Sequence, residues 1–354
     1  LEAFQISGNS DKATDFLESI KSKNFLFSFV ISYTETCEIP EITVAGAEKD
    51  LIQYTPPADA EYLHYGYCKT IERIPMTPDG KPTPGLLTKV ALESSSIPHI
   101  TINAGSKIAP QLPFIETGLP SGKNIYVEKS LTDSDVSHAV DYGRIVGRNL
   151  ASLTDCLVIG ECIPGGTTTS LAVLRALGYD ARVSSSIPTN PVKLKNKVVS
   201  SALTRINSDH PYSIVAEIGD PMIPFVAGML NSASDVTKVL LAGGTQMAAV
   251  LAFAEKIGFQ DENAAIGTTS YVANDDSANF DELVKEISDI PAISVDPELD
   301  KSKFSGLKAF SEGFAKEGVG AGGCIISSMM KSGLDKTKYL ENAEKEYDRL
   351  FTLP

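Results

Sequence analysis

Five short apolar runs recur along the chain: HITIN (99–103), CLVIG (156–160), KVLLAG (238–243), AAIGT (264–268) and AISVD (292–296). Each is short, bounded by turn residues and apolar on both alternating faces, the pattern of a strand buried on both sides of a sheet. Between several of them lie stretches with helical spacing, at 134–150, 167–178, 194–206 and 245–258. Buried strands alternating with helices predict an α/β fold, a mostly parallel Rossmann-like sheet with helices on both faces. Ahead of these, Ala13, Phe16, Leu17 and Ile20 fit a helix from Asn9 to about Lys23, capped by Asn9 or Ser10, and FLFSFVIS (25–32) reads as another strand. The expected division is a large nucleotide-binding domain over 95–300 and a smaller domain built from 1–94 and 301–354. Residues 37–85, rich in proline, tyrosine and charge, read as loop-dominated chain, either functional or a packed surface excursion.

Composition narrows the partners. With 31 basic and 45 acidic side chains the 354 residues carry a formal charge of −14, which disfavours nucleic acid and anionic membrane as generic partners. A local basic pocket could still hold a phosphate. No window of about eighteen uninterrupted apolar residues offers a bilayer span. The opening LEAFQISGNS has no basic region followed by an apolar one, and the five cysteines are scattered with no CxxC pair. Both features give the expectation of a cytoplasmic protein with reduced thiols. The four histidines are dispersed and form no HExxH, so neither metal nor cofactor is expected.

Two segments share one grammar. CLVIGECIPGGTTTSLAVLRALG and KVLLAGGTQMAAVLAFAEKIG each run strand, glycine turn, hydroxyl or amide residue, helix, closing glycine. In a parallel sheet both turns reach the carboxyl edge, where open α/β sheets bind ligands. Gly165 and Gly166 allow close backbone approach. The helix N-terminus after them, with Thr167 and Thr168, suits a phosphate or carboxylate, although a plain strand-to-helix connection fits the spacing equally well. The loop is not a Walker A sequence, and GxGxxG is absent. Gly243 and Gly244 form the second turn. Glu161, at the end of the first strand, could bond a hydroxylated ligand or orient a cationic ring, or merely cap. In FAKEGVGAGGCIISSM (314–329), Glu317 precedes Gly318, Gly320, Gly322 and Gly323. An acid entering a closed, glycine-lined pocket becomes a general base near neutral pH; the alternative is a surface glutamate beside Lys316. Lys193, Lys195 and Lys197 offer a phosphate counter-charge or a solvated helix face.

Together and in this order, these elements resemble nicotinate-nucleotide:dimethylbenzimidazole phosphoribosyltransferases, in particular their archaeal and cyanobacterial branch. The bacterial loop GEMGIGNTT is matched by Gly160, Glu161, Gly165, Thr167 and Thr168, and LDGF by LAGG (241–244). GEGTGAA is matched by KEGVGAGG with Glu317 as its acid, and the lysine before a helix ending in Ala-Leu falls on Lys195. The likeness spans roughly 130–335. EIPEITVAGAEKDLIQYTPPADAEY and TPDGKPTPGLLTK match the archaeal branch, while the bacterial PPGSLG, part of the base-binding region, has no counterpart. The resemblance implies transfer of a 5-phosphoribosyl group from nicotinate mononucleotide to a benzimidazole-like base, in cobamide lower-ligand assembly, by a homodimer. It also implies Glu317 as base, the 165–168 backbone with Thr167, Thr168 and Lys195 as phosphate anchor, and Glu161 beside the ribose or cationic ring. Gly243, Gly244, Gly318 and Gly320 complete the expected binding loops. Two other classes stay open: a different α/β enzyme acting on a phosphorylated metabolite, such as a nucleotide-dependent oxidoreductase, and a non-catalytic nucleotide-binding or regulatory protein.

Overall fold

The apolar runs do become strands, and all of them join one sheet. A computed structural model describes residues 3–43, 45, 46 and 48–351; Val44 and Ala47, in the segment read as loop, lie outside the described residues. The strands are β1 (Phe4–Ser7), β2 (Phe25–Ile31), β3 (His99–Asn103), β4 (Ile115–Glu116), β5 (Cys156–Cys162), β6 (Lys238–Ala242), β7 (Ala264–Thr269) and β8 (Ala292–Val295). Their order is β1-β8-β7-β6-β5-β2-β3-β4, and every neighbouring pair is parallel except β1 with β8. All seven residues of β5 are buried. Leu157 and Ile159 point into one apolar core, Cys156, Val158 and Cys162 into the other. A strand that must satisfy two dry faces cannot alternate polar with apolar, which is why these runs read as continuous.

The helices, numbered along the chain, divide between the faces. Over one core lie α4 (Asp133–Ala151), α5 (Gly166–Ala176), α6 (Val192–Leu203), α7 (Pro211–Ile218), α8 (Met222–Ala233), α9 (Thr245–Lys256), α10 (Ser270–Ala273) and α11 (Phe280–Ile287). Over the other lie α1 (Ser10–Ile20), α2 (Thr55–Tyr65), α3 (Gly85–Ser94), α12 (Ser305–Ser311), α13 (Ala321–Ser332) and α14 (Lys336–Phe351). Asn9 caps α1, its side chain accepting the Asp11 and Lys12 N–H groups at 3.2 and 3.1 Å. Thr132 and Asp135 close a reciprocal capping box on α4.

The division expected at residues 95 and 300 does not coincide with a break in the sheet. β2, from the N-terminal third, hydrogen-bonds between β5 and β3, and β1 extends the far edge beside β8. From the other end, α13 packs against β5, β6, β7 and β8. The flanking segments supply strands and one covering layer of the same body. Their charge and irregularity reflect the outer surfaces of α1 and α14, not a separate core.

The 37–85 segment also departs from the loop reading, because it contains α2. Thr55 through Leu63 are all buried, so this helix has no polar face and leaves no 3.6-residue periodicity to read. Its two prolines occupy the first turn, where a missing N–H costs no hydrogen bond. Buried Glu61 uses its carboxylate to accept N–H bonds from Lys69, Thr70 and Gln111 at 2.6, 2.8 and 2.8 Å, stapling the following loops to the helix. Among the described residues no helix is long and apolar enough to cross a membrane.

Candidate active site

Parallel register brings the carboxyl ends of β5, β6 and β7 to one edge, and the turns after them border a cavity. It holds about 990 Å³ of atom-free space, its solvent-open mouth included. Its walls include Glu161, Gly165, Gly166 and Thr167 from the first turn and Gly244, Thr245 and Gln246 from the second. Lys316, Glu317, Gly318 and Val319 come from the loop before α13. Two helices, α5 and α9, therefore start at the cavity, and the positive end of each helix dipole favours an anion there. Gly165 has φ 79°, and a β-carbon there would stand 2.9 Å from the Cys37 backbone nitrogen, so the loop needs glycine for both conformation and space.

The two acids meet here. Glu161 is buried at the end of β5; its Oε2 accepts the Ile163 N–H at 3.1 Å. With its amide nitrogen turned toward Glu161, Gln246 donates to both carboxyl oxygens, at 3.2 and 3.0 Å. Burial, then the nearby Glu317 and Asp220 carboxyls, push Glu161 up to about 8. Glu317 is surrounded by more donors. Thr269 N–H reaches Oε2 at 2.9 Å, Gly322 N–H reaches both oxygens at 3.2 Å, Gly318 N–H reaches Oε1 at 3.2 Å, and Thr268 Oγ1 adds a bond at 3.2 Å. These donors favour the carboxylate, yet burial outweighs them and raises Glu317 to about 7. The carboxyls thus form a coupled pair in which Glu317 ionises first. The carbonyl of Glu161 also accepts the Val319 N–H at 2.9 Å, tying the two loops together.

The loop carrying Glu317 is strained. Ala315, Gly318, Val319 and Gly320 hold φ values of 45°, 148°, 54° and 70°. Two of these are not glycine, a conformational cost that persists because the surrounding bonds determine it.

Not every expected residue reaches the cavity. Lys195 does not line it: the side chain is buried and its Nζ donates to the Ser184 carbonyl at 2.8 Å. Burial, then Lys316, lowers Lys195 to about 7. It lies behind Ser184, Ser185 and Ser186, which do line the cavity. The basic side chain among the described lining residues is Lys316, paired with Asp275 at 2.7 Å, both largely buried. Thr168 is also set back, its buried Oγ1 without a hydrogen-bond partner. Gly243 and Gly320 shape their turns without lining the space. Lys193 and Lys197 do not line it either.

Sequence reading missed Asp59, Thr83, Gln246 and the serine run. Asp59, on α2, accepts from Thr83 Oγ1 at 2.7 Å and from Cys162 Sγ at 3.4 Å, and burial raises it to about 7. Nothing in TPPADAEY distinguishes such an acid from a solvated one; only the packing of α2 against β5 reveals it. Asp220 is a further buried acid. It accepts from Thr169 Oγ1 at 2.5 Å and from the Ile223 N–H at 3.1 Å, joining α5 to the start of α8.

Residues 99–269 match the family model DBI_PRT, described as phosphoribosyltransferase. A UPF0284 protein of Archaeoglobus fulgidus is 45% identical over 345 residues, covering 98% of each chain. Another from Sulfolobus acidocaldarius is 40% identical over 95% of this chain and 99% of its own. The fold is similar to the crystal structure of a nicotinate-nucleotide-dimethylbenzimidazole phosphoribosyltransferase from Thermus thermophilus. The TM-score is 0.63 at 14% identity, over 95% of this chain and 92% of that one. Related to these archaeal proteins along nearly its whole length, the chain belongs to the UPF0284 family, and its residues 99–269 carry the phosphoribosyltransferase match.

Proposed function

We propose that this phosphoribosyltransferase takes the 5-phosphoribosyl group from nicotinate mononucleotide and gives it to a ring nitrogen of a benzimidazole-like base, in cobamide assembly. The observation that carries the reading is the coupled pair Glu161 and Glu317 between two glycine turns of one cavity. In the step, the bond from the ribose C1′ to the pyridinium nitrogen breaks and its electrons neutralise the leaving nicotinate. The azole nitrogen supplies the lone pair for the new C1′–N bond, giving an α-linked ribotide, and the azole proton passes to Glu317. Its backbone donors keep Glu317 ionised while burial keeps it basic, the combination a general base needs near pH 7. Glu161 meets a pyridinium cation, which favours its ionised form; the resulting carboxylate offsets positive charge as the oxocarbenium develops.

The phosphate end falls to the α5 and α9 N-termini with Lys316. Lys195 acts behind it, holding the Ser184–Ser186 wall by its bond to the Ser184 carbonyl. A protein that only bound a nucleotide would have no use for two carboxyls held against the dielectric cost of burial. The direct test mixes the protein with nicotinate mononucleotide and a panel of benzimidazoles and purines, reading nicotinate release and ribotide by chromatography. Release that depends on both partners is expected, and no release with any base rejects the reading. A homodimer and a cytoplasmic location belong to the same proposal, the former checked by light scattering.

A further inference from the structure

The cavity has a second polar group, on α2. Thr55 and Asp59 sit one turn apart on α2, and both line the space. Around them the wall is apolar, from Pro75, Met76, Pro82 and Pro84. Pro84 packs against Gly318, immediately after the proposed base, so this end adjoins the reacting centre. Asp59 forms no ion pair among the described residues. Its polarity is set by a short relay: the Gly85 N–H donates to Thr83 Oγ1 at 3.1 Å, which leaves the Thr83 proton for Asp59 Oδ1. The Cys162 thiol faces Oδ2. Asp59 is therefore presented as an acceptor, with a remaining lone pair on each oxygen. Thr55 Oγ1 is buried without any hydrogen-bond partner. An unpaired acid would repel a phosphate, and Lys316 already serves the other end.

We propose that Thr55 and Asp59 are specificity residues for the accepting base, and that they select a fused azole bearing a hydroxyl or amino donor on its carbocyclic ring over one bearing only methyl groups. This rests on the transferase reading. Both groups are already shielded from water, Asp59 at 1% exposure and Thr55 Oγ1 buried, so each is short of partners before a base arrives. A ring hydroxyl or amine supplies a bond to each, whereas methyl groups leave them buried and unpaired. Sites built around a hydrogen bond reject analogues that lack it far more strongly than apolar pockets reject an extra methyl.

The test compares 5-hydroxybenzimidazole with 5,6-dimethylbenzimidazole, by calorimetric Kd and by kcat/KM for nicotinate release, in the intact protein and in Asp59→Asn and Thr55→Val. Thermal unfolding checks that each variant folds; Thr55→Val has no hydrogen bond to lose. The expected result is a wild-type preference for the hydroxylated base of about tenfold or more, cut by about tenfold in Asp59→Asn and by a smaller factor in Thr55→Val. Equal binding of the two bases, binding of neither, or a preference unchanged in both variants overturns the proposal. If nicotinate is never released yet the binding preference exists and Asp59→Asn erases it, the recognition role stands and the transferase reading falls. Release that favours the dimethylated base does the reverse.

Discussion

Glu161 and Glu317 share a cavity but differ in what solvates them, and that difference divides their roles. Four protein groups donate to Glu317, three of them backbone N–H groups whose positions are set by the fold. Glu317→Gln should lower kcat by about 100-fold or more, the usual scale of a lost general base, while nicotinate mononucleotide still raises the melting temperature of the variant. Retained turnover would remove Glu317 as base. Wild-type kcat/KM should rise as pH passes about 7, where the pair gives up its first proton. Glu161 makes the complementary stability prediction. Its folded value of about 8 lies above the ordinary 4.5, so the unfolded chain releases this proton first. Stability is then lost as pH rises from about 4.5 to 8, by an amount on the order of a few kcal/mol. Glu161→Gln removes that loss and should melt higher than wild type at pH 8, with little difference at pH 5, while losing activity. A melting difference independent of pH would contradict the assignment. For the phosphate end, Lys316→Ala should raise the KM for the mononucleotide about tenfold or more. Lys195→Met should act through thermal stability as well as KM, because its ammonium ends on a backbone carbonyl of the wall.

At the level of elements, close backbone approach does what side chains do elsewhere. α13 lies so near β7 that a β-carbon at Gly322 would collide with the Thr268 and Thr269 backbone. That closeness delivers the Thr269 and Gly322 N–H groups to one carboxylate. Gly322→Ala should therefore cost about 1–3 kcal/mol of stability and depress kcat, since a shift of α13 pulls the donors from Glu317. Stability loss with unchanged kcat would uncouple the two. α4 and α8 use the same device away from the site. Gly143 and Gly147 face the Phe225 and Met229 backbone, and Gly228 faces that of Val140. Helices that approach this closely bury most of their surface, and ten of the twelve residues of α8 are buried.

For the molecule as a whole, the sheet cannot be divided at the boundaries that composition suggests. A fragment spanning 95–300 lacks β2, which separates β5 from β3, and lacks α13, which covers one face. Both edges thus exposed are long rows of unpaired backbone groups next to uncovered apolar surface. The fragment should fail to fold alone, seen as lost cooperative thermal unfolding and rapid proteolysis; a cooperative transition would restore the two-domain division. The same arrangement places the site. Residues from α2, β5, the α9 start and the loop before α13 border one cavity, so the N- and C-terminal segments are walls of that cavity and not its neighbours.

Local chemistry is legible in the chain alone: strands buried on both faces make continuous apolar runs, glycine turns mark their carboxyl ends, and Asn9 caps the first helix. From those signals came the parallel sheet, the two turns at one edge and the candidates Glu161, Glu317 and Gly165–Thr167, all of which line the cavity. Tertiary structure decided the rest, because the deciding quantity was distance between segments remote in sequence. Lys195 and Lys316 are both lysines near glycine or proline; only packing sends one to the Ser184 carbonyl and the other to the cavity. Asp59 gains its character from Thr83 and Cys162, 24 and 103 residues away. A helix buried all round, such as α2, leaves no periodicity to announce it. Periodicity records which face of an element meets water, and it is silent wherever none does.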